Sequence, residues 1–276
     1  MSSNNEDLNL AIFCDFENVA LGVRDAKMAR FDIKLVLERL LVKGTIVTKK
    51  AYCDWERYKE FKAVMHDAAF ELIEIPHTRQ SGKNSADIRM VVDALDLCYT
   101  KAHIDTFVIV SGDSDFSPLV SKLRENNKQV IGVGVKSSTS DLLMSNCDEF
   151  IFYDDVVRDE ESSQKRKRKP AAKKKPVKGE SSKPESASTD DEKMDEAVSL
   201  VMEMTEALYA ERGDSDKLWG SMVKQALKRR RPGFNERYYG ARSFSDLLEE
   251  AERRGLLKLS LDERSGGYVI QSLSDG

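Results

Sequence analysis

The sequence predicts an α/β fold on a parallel sheet, followed by a basic linker and a small α+β domain. Three observations lead there. Short apolar runs alternate with helical apolar patterns through residues 1–157, in the order β-α-β-α-β-α-β-α-β-α-β, which calls for a parallel sheet covered on both faces. Two of the strand-like runs, Leu8–Cys14 and Thr106–Val110, run almost directly into aspartates. Residues 158–192 then change character entirely, before helical periodicity resumes over residues 193–276.

The 276 residues suit two modest domains, and 40% apolar content is enough for real cores. The net charge of −4 is unevenly spread, at −6 for residues 1–157, +3 for 158–192 and −1 for 193–276. Cys14, Cys53, Cys98 and Cys147 are far apart, in apolar contexts, without CxxC or Cys/His spacing, which predicts a reduced compartment and no zinc site. Met1–Leu10 carries acids and no long apolar run, unlike a signal peptide, and no stretch reaches the length of a membrane span. A cytoplasmic protein without membrane contact is expected.

Leu8–Cys14 reads as a buried strand, with Asp15-Phe16-Glu17-Asn18 directly after it. Phe31–Val42 has helical apolar spacing and Gly44 is read as its end; Thr45–Tyr52 is a second strand and Tyr58–Ala69 a second helix. Glu71–Ile75 is a strand stopped by Pro76, His77–Ser85 a polar loop, and Ala86–Tyr99 a strong helix. Thr106–Val110 is β-branched and apolar; Gly112 permits a tight exit, and Ser117-Pro118 reads as an N-cap and first-turn pair for a helix to Asn126. Gln129–Val135, Ser140–Asn146 and Glu149–Tyr153 complete the alternation as strand, helix and strand.

Asp113 and Asp115 therefore fall in a loop at the carboxyl edge of the sheet, where ligands bind in open α/β folds. Asp15 ends the first strand and Asp87 opens the helix after the 77–85 loop, so each can reach that edge. Carboxylates gathered there repel one another, and Mg2+ or Mn2+ is the natural neutralising partner. Asn18, one turn beyond Asp15, offers an amide to a ligand oxygen or water. Plainer readings stand beside these: Asp113 and Asp115 as solvated turn residues, Asp87 as a helix-dipole partner. Asp93 lies about 120° around the helix from Asp87 and is read as a supporting residue. His66, His77 and His103 are unclustered, Lys83 lacks the spacing of a phosphate loop, and Gly132-Val133-Gly134 lacks the third glycine of a dinucleotide site.

Lys165–Lys169 and Lys173–Lys175 lie among Pro, Ala, Ser and Gly, a composition that cannot bury a core, so residues 158–192 are predicted disordered. They serve either as a merely solvating linker or as a phosphate-binding arm. Beyond them, Lys193–Arg212, Leu218–Leu227 and Ser243–Arg254 read as helices, Gly255 as a helix end, and 256–261 with 267–271 as a hairpin, a winged-helix plan. Lys224, Lys228, Arg229, Arg230 and Arg231 are RNA-contact candidates or, equally, a solvated helix end.

Ile12–Asn18, Gly82–Asp87, Val91–Leu95 and Ser111–Phe116, in that order, resemble the NYN domain family, the LabA/DUF88-like branch of the PIN-like nucleases. The resemblance covers about residues 8–155 and implies a PIN-like Rossmannoid sheet and metal-dependent RNA cleavage. It assigns metal to Asp15, Asp87, Asp113 and Asp115, with Asn18 as a fifth site residue. Trp219–Lys224, Arg231–Glu236, Tyr239-Gly240, Phe244–Leu248 and Gly267–Ile270 resemble the LOTUS (OST-HTH) domain, which implies RNA binding and a protein partner or self-association.

The expected activity is Mg2+- or Mn2+-dependent endoribonucleolytic cleavage, with RNA captured by the second domain, the basic linker and Lys83. The rival is a non-catalytic RNA-binding adaptor that keeps the acids for folding or metal. A phosphatase reading is weaker, because Asp15-Phe16-Glu17 lacks the Asp-x-Asp pair of phosphoaspartate enzymes.

Overall fold

A computed structural model describes residues 8–75, 84–167, 187–212, 217–262 and 265–273. The chain divides into two compact units, Met1–Pro170 and Ala171–Gly276.

The first unit is a six-stranded, all-parallel sheet in the order β3-β2-β1-β4-β5-β6. The strands are β1 (Leu8–Asp15), β2 (Gly44–Cys53), β3 (Glu71–Glu74), β4 (Thr106–Val110), β5 (Gln129–Gly134) and β6 (Glu149–Phe152). Each begins within a residue of its predicted start. The central strands are apolar on both faces, as burial from both sides requires. Leu10, Ile12 and Cys14 of β1 enter one core with Val108 and Val110, while Ala11 and Phe13 enter the other with Phe107 and Ile109. The predicted helices are α2 (Ile33–Leu41), α3 (Lys59–Asp67), α4 (Ser85–Thr100), α5 (Ser117–Glu125) and α6 (Asp141–Asn146).

Two helices of this unit were not expected. α1 (Phe16–Asp25) follows β1 without a loop, and Asp15 is its N-cap, its Oδ1 accepting from Asn18 N at 3.3 Å. α7 (Tyr153–Lys167) carries the chain helically across the start of the segment predicted disordered. The residues that follow, 168–186, lie outside the described part, as do most of the basic runs. Two local readings are also corrected, those of Gly44 and Ser117, and that of Gly112 is extended. Gly44 is not a left-handed helix end but the first residue of β2, where a Cβ would meet Leu8 O at 2.2 Å. Gly112 likewise serves close approach, since a Cβ there would meet Ser138 O at 2.4 Å. Ser117 is not the N-cap of α5: Phe116 holds that position, after a 3-10 turn over Ser114–Phe116.

The second unit has α8 (Ala187–Arg212), α9 (Gly220–Arg230) and α10 (Phe244–Arg253), with β8 (Leu257–Leu261) and β9 (Tyr268–Leu273) forming an antiparallel pair. A short β7 (Leu218–Trp219), read in the sequence as the start of a helix, pairs with β9 on its other side. Leu247, Leu248 and Ala251 of α10 pack with Val198 and Val201 of α8 and with Val223 and Leu227 of α9. Ser243 caps α10 through Asp246 N at 3.3 Å, and Gly255 follows that helix at φ +76°, the left-handed position expected of it.

Candidate functional site

The strand order reverses between β1 and β4: β1 continues outward to β2, whereas β4 continues the other way to β5. The two strands are paired, with Cys14 beside Val110, so Asp15 and Ser111 leave the sheet next to each other at its carboxyl edge. This is the crevice in which open α/β sheets hold ligands.

Asp15 is only 8% exposed. Its Oδ1 accepts from Asn18 N, and its Oδ2 accepts from the Ser111 hydroxyl at 3.1 Å. Ser111 Oγ in turn accepts from Asp113 N at 3.2 Å, and Asp113 Oδ1 accepts from Asp115 N at 2.9 Å. Asn18 Oδ1 accepts from Gly112 N at 2.9 Å, so α1 and the β4 exit loop are tied from both sides. Because that acceptor must be the carbonyl oxygen, the Asn18 amide group is left as a donor. Ser111 and Gly112 were quoted in the sequence motif, and Gly112 as a turn residue, but neither was singled out as a site residue. No spacing signal marks a hydroxyl that bridges two carboxylate-bearing segments.

Burial pushes the Asp15 carboxyl up to about 7, with the Asp87 charge adding to it; the Asn18 and Ser111 hydrogen bonds pull the other way. Asp87, in the first turn of α4, is half-buried and also raised, first by burial, then by Asp113, Asp115 and Glu17. Asp15, Asp87, Asp113 and Asp115 therefore act on each other electrostatically, and Glu17, in the first turn of α1, joins them. Glu17 was quoted in the sequence motif but not singled out; its Oε1 lies 3.3 Å from Arg57 Nη1.

The carboxylates do not form a ready cage: among the described residues no three His, Cys, Asp or Glu side chains are grouped so as to hold a metal ion. Asp93 is engaged elsewhere. It accepts from the Tyr52 hydroxyl at 2.9 Å and from Arg89 Nε at 3.0 Å, with Lys50 Nζ at 3.8 Å, which matches its reading as a supporting residue. All four cysteines are free and buried, and none is a ligand candidate. Lys83 lies outside the described residues.

In the second unit, two of the five candidate RNA contacts are committed internally. Lys224 Nζ lies 2.8 Å from Glu236 Oε1, and Arg230 Nη2 lies 2.8 Å from Glu203 Oε1. Burial is the largest single influence on the Glu236 carboxyl and works to raise it, but the Lys224 hydrogen bond, a backbone hydrogen bond and the Lys224 and Lys228 charges together bring the net direction down. Arg229 and Arg231 are exposed and Lys228 is half-exposed, at the end of α9.

The parallel sheet with acids at its carboxyl edge is consistent with the class of PIN-like α/β domains. Within that class the chain belongs to the NYN domain family, whose model matches residues 9–154, inside the first unit. Proteins of this family are generally nucleases, and NYN nucleases act on RNA. The chain is similar to an uncharacterized protein of Methanocaldococcus jannaschii, with 27% identity over 137 residues, 48% of this chain and 54% of that protein. It thus spans about half the length of that curated relative. A crystal structure of a protein of unknown function from Vibrio parahaemolyticus is 28% identical and covers 56% of this chain and 98% of its own, with a TM-score of 0.49. Among the described residues no helix is long and apolar enough to cross a membrane.

Proposed function

We propose that this chain is an endoribonuclease that uses Mg2+ or Mn2+ at the β1–β4 edge, with Asp15, Asp87, Asp113 and Asp115 as the metal-holding residues. The observation that carries this reading is Asp15: a buried carboxylate, held by two hydrogen bonds and raised to about 7 beside other acids. A protein keeps such a group against its desolvation cost where function needs it. The donor set is all oxygen, which suits a hard divalent cation, and a cation would relieve the repulsion that raises Asp15 and Asp87. Such a cation activates water and stabilises charge on a phosphodiester.

The chain's own residues prepare the rest. Ser111 fixes the orientation of Asp15 and the start of the loop that carries Asp113. In this reading the Asn18 amide donates to a phosphate oxygen, while its carbonyl holds Gly112. The second unit, read as a LOTUS domain, and the basic segment before it supply RNA capture through phosphate contacts. Protein recruitment or self-association through that unit belongs to the same reading.

The test is incubation of the full chain with end-labelled single-stranded RNA in Mn2+, Mg2+ or EDTA, beside Asp15→Asn. Cleavage that needs the metal and is lost in the variant is the expected result. RNA that is bound but never cut would overturn the enzyme in favour of the adaptor.

A further inference from the structure

α4 covers the sheet with Met90, Ala94 and Cys98, which are buried, and turns a second apolar face away from it. Ile88, Val92 and Tyr99 are 63%, 56% and 62% exposed, and Leu95 is half-buried between them. These four residues succeed one another by four, three and four positions, the spacing of a helix–helix seam. The other exposed large apolar side chains, Leu41, Val42, Val47, Leu142, Leu256 and Leu261, follow no such spacing.

We propose that this face is an interface between two copies of the chain, paired as antiparallel α4 helices about a two-fold axis passing between Val92 and Leu95. The 4-3-4 spacing reads the same from either end, which is what a two-fold interface requires of a single patch. In that arrangement Ile88 meets Tyr99 of the second copy and Val92 meets Leu95 of the second copy, each contact occurring twice. The flanking charges are self-complementary in the same sense. Arg89 and Asp96 lie on one flank of the seam, about 20° apart around the helix at 100° per residue. Antiparallel pairing brings Arg89 of each copy beside Asp96 of the other. Asp96 is exposed and has no ion pair with any described residue. Arg89 uses Nε for Asp93 while its side chain stays 58% exposed, so the rest of its fork is open to a carboxylate. A parallel pair would instead set the Arg89 and Asp96 flanks of the two copies on opposite sides of the seam, where no such ion pair forms.

Light scattering of the full chain over a dilution series tests this. The expected mass is two chains at tens of micromolar, falling to one on dilution. Val92→Asp is expected to give one chain throughout, with unchanged circular dichroism and melting; Ile88→Asp serves the same purpose should the first variant unfold. The orientation is read from oxidative cross-linking, for which the four native cysteines are buried. In the antiparallel pair the two Val92 positions are ~4.5 Å apart along the axis and the two Ile88 positions ~16 Å. V92C is therefore expected to cross-link and I88C is not. A single-chain mass at hundreds of micromolar, or a dimer that survives both Asp variants, would overturn the interface. Cross-linking of both cysteine variants would overturn the antiparallel pairing.

Discussion

The Ser111 hydroxyl donates to Asp15 Oδ2 at 3.1 Å across 96 positions of sequence, while the same oxygen accepts from Asp113 N. One side chain thus joins the end of β1, the end of β4 and the loop that carries two further acids. Ser111→Ala removes both bonds and leaves a buried carboxylate oxygen without its donor. The expected cost is about 1–3 kcal/mol in urea unfolding, with the Asp15 carboxyl moving further above about 7. Carboxyl NMR titration reads that shift; an unmoved Asp15 would show that Ser111 does not support it.

Asp15 also sets a pH dependence. Its folded value, about 7, lies above the ordinary 3.8, so folding favours the protonated form. The stability it contributes is fully present below the unfolded value and is lost as pH rises to the folded one. At ~1.4 kcal/mol per pH unit, the window from 3.8 to about 7 is worth about 4 kcal/mol. Asp15→Asn, which cannot ionise, is expected to gain on the wild type in melting temperature from pH 4 to 7 and to hold a constant lead above that. A lead that shrinks with rising pH would contradict the sign.

Asp113→Asn is expected to lower RNA cleavage by about 100-fold or more while the fold persists. Asn keeps the oxygen that accepts from Asp115 N but loses the charge that raises Asp15 and Asp87. The melting temperature should therefore hold or rise, and the thermal shift on adding Mn2+ should shrink. Equal cleavage by the variant and the wild type would remove Asp113 from the site.

Gly112→Ala puts a methyl 2.4 Å from Ser138 O, a backbone atom that cannot swing aside. The β4 exit loop or the 136–140 segment must move, at about 1–3 kcal/mol. Because Gly112 N also holds Asn18, cleavage should fall more than stability alone explains. Thermal melts read beside initial rates separate the two effects.

RNA binding by the second unit should depend on Lys228, Arg229 and Arg231 more than on Lys224 and Arg230, which are held by Glu236 and Glu203. Reversing the first three charges should flatten the salt dependence of binding by about 0.7 per lost phosphate contact on single strands. Reversing Lys224 instead should chiefly destabilise the unit, since Glu236 would keep a half-buried charge without its partner.

The strands of the first unit were legible because each is an apolar run bounded by turn residues; Asp15, Asp113 and Asp115 were legible as candidates because they follow such runs, and Asp87 because it opens a helix after a polar loop. α1 was not, because its N-cap is Asp15 itself and no loop separates it from β1. Nor was α7, whose charged sequence gives little apolar periodicity; Val156 and Val157 near its start pack against the core of the first unit. The Gly44 reading failed and the Gly112 reading was incomplete for one reason: a sequence shows that a side chain is missing, not which backbone occupies the space. By itself, then, the sequence determined the alternation, the parallel sheet and the set of acids, all of which follow from local periodicity and residue type. Only the tertiary structure decided that β1 and β4 are neighbours, that Asp15 is buried and raised, and that Ser111 and Asn18 lace the crevice. Those facts depend on which distant segments share an edge, and pairing across some hundred residues leaves no mark in local spacing.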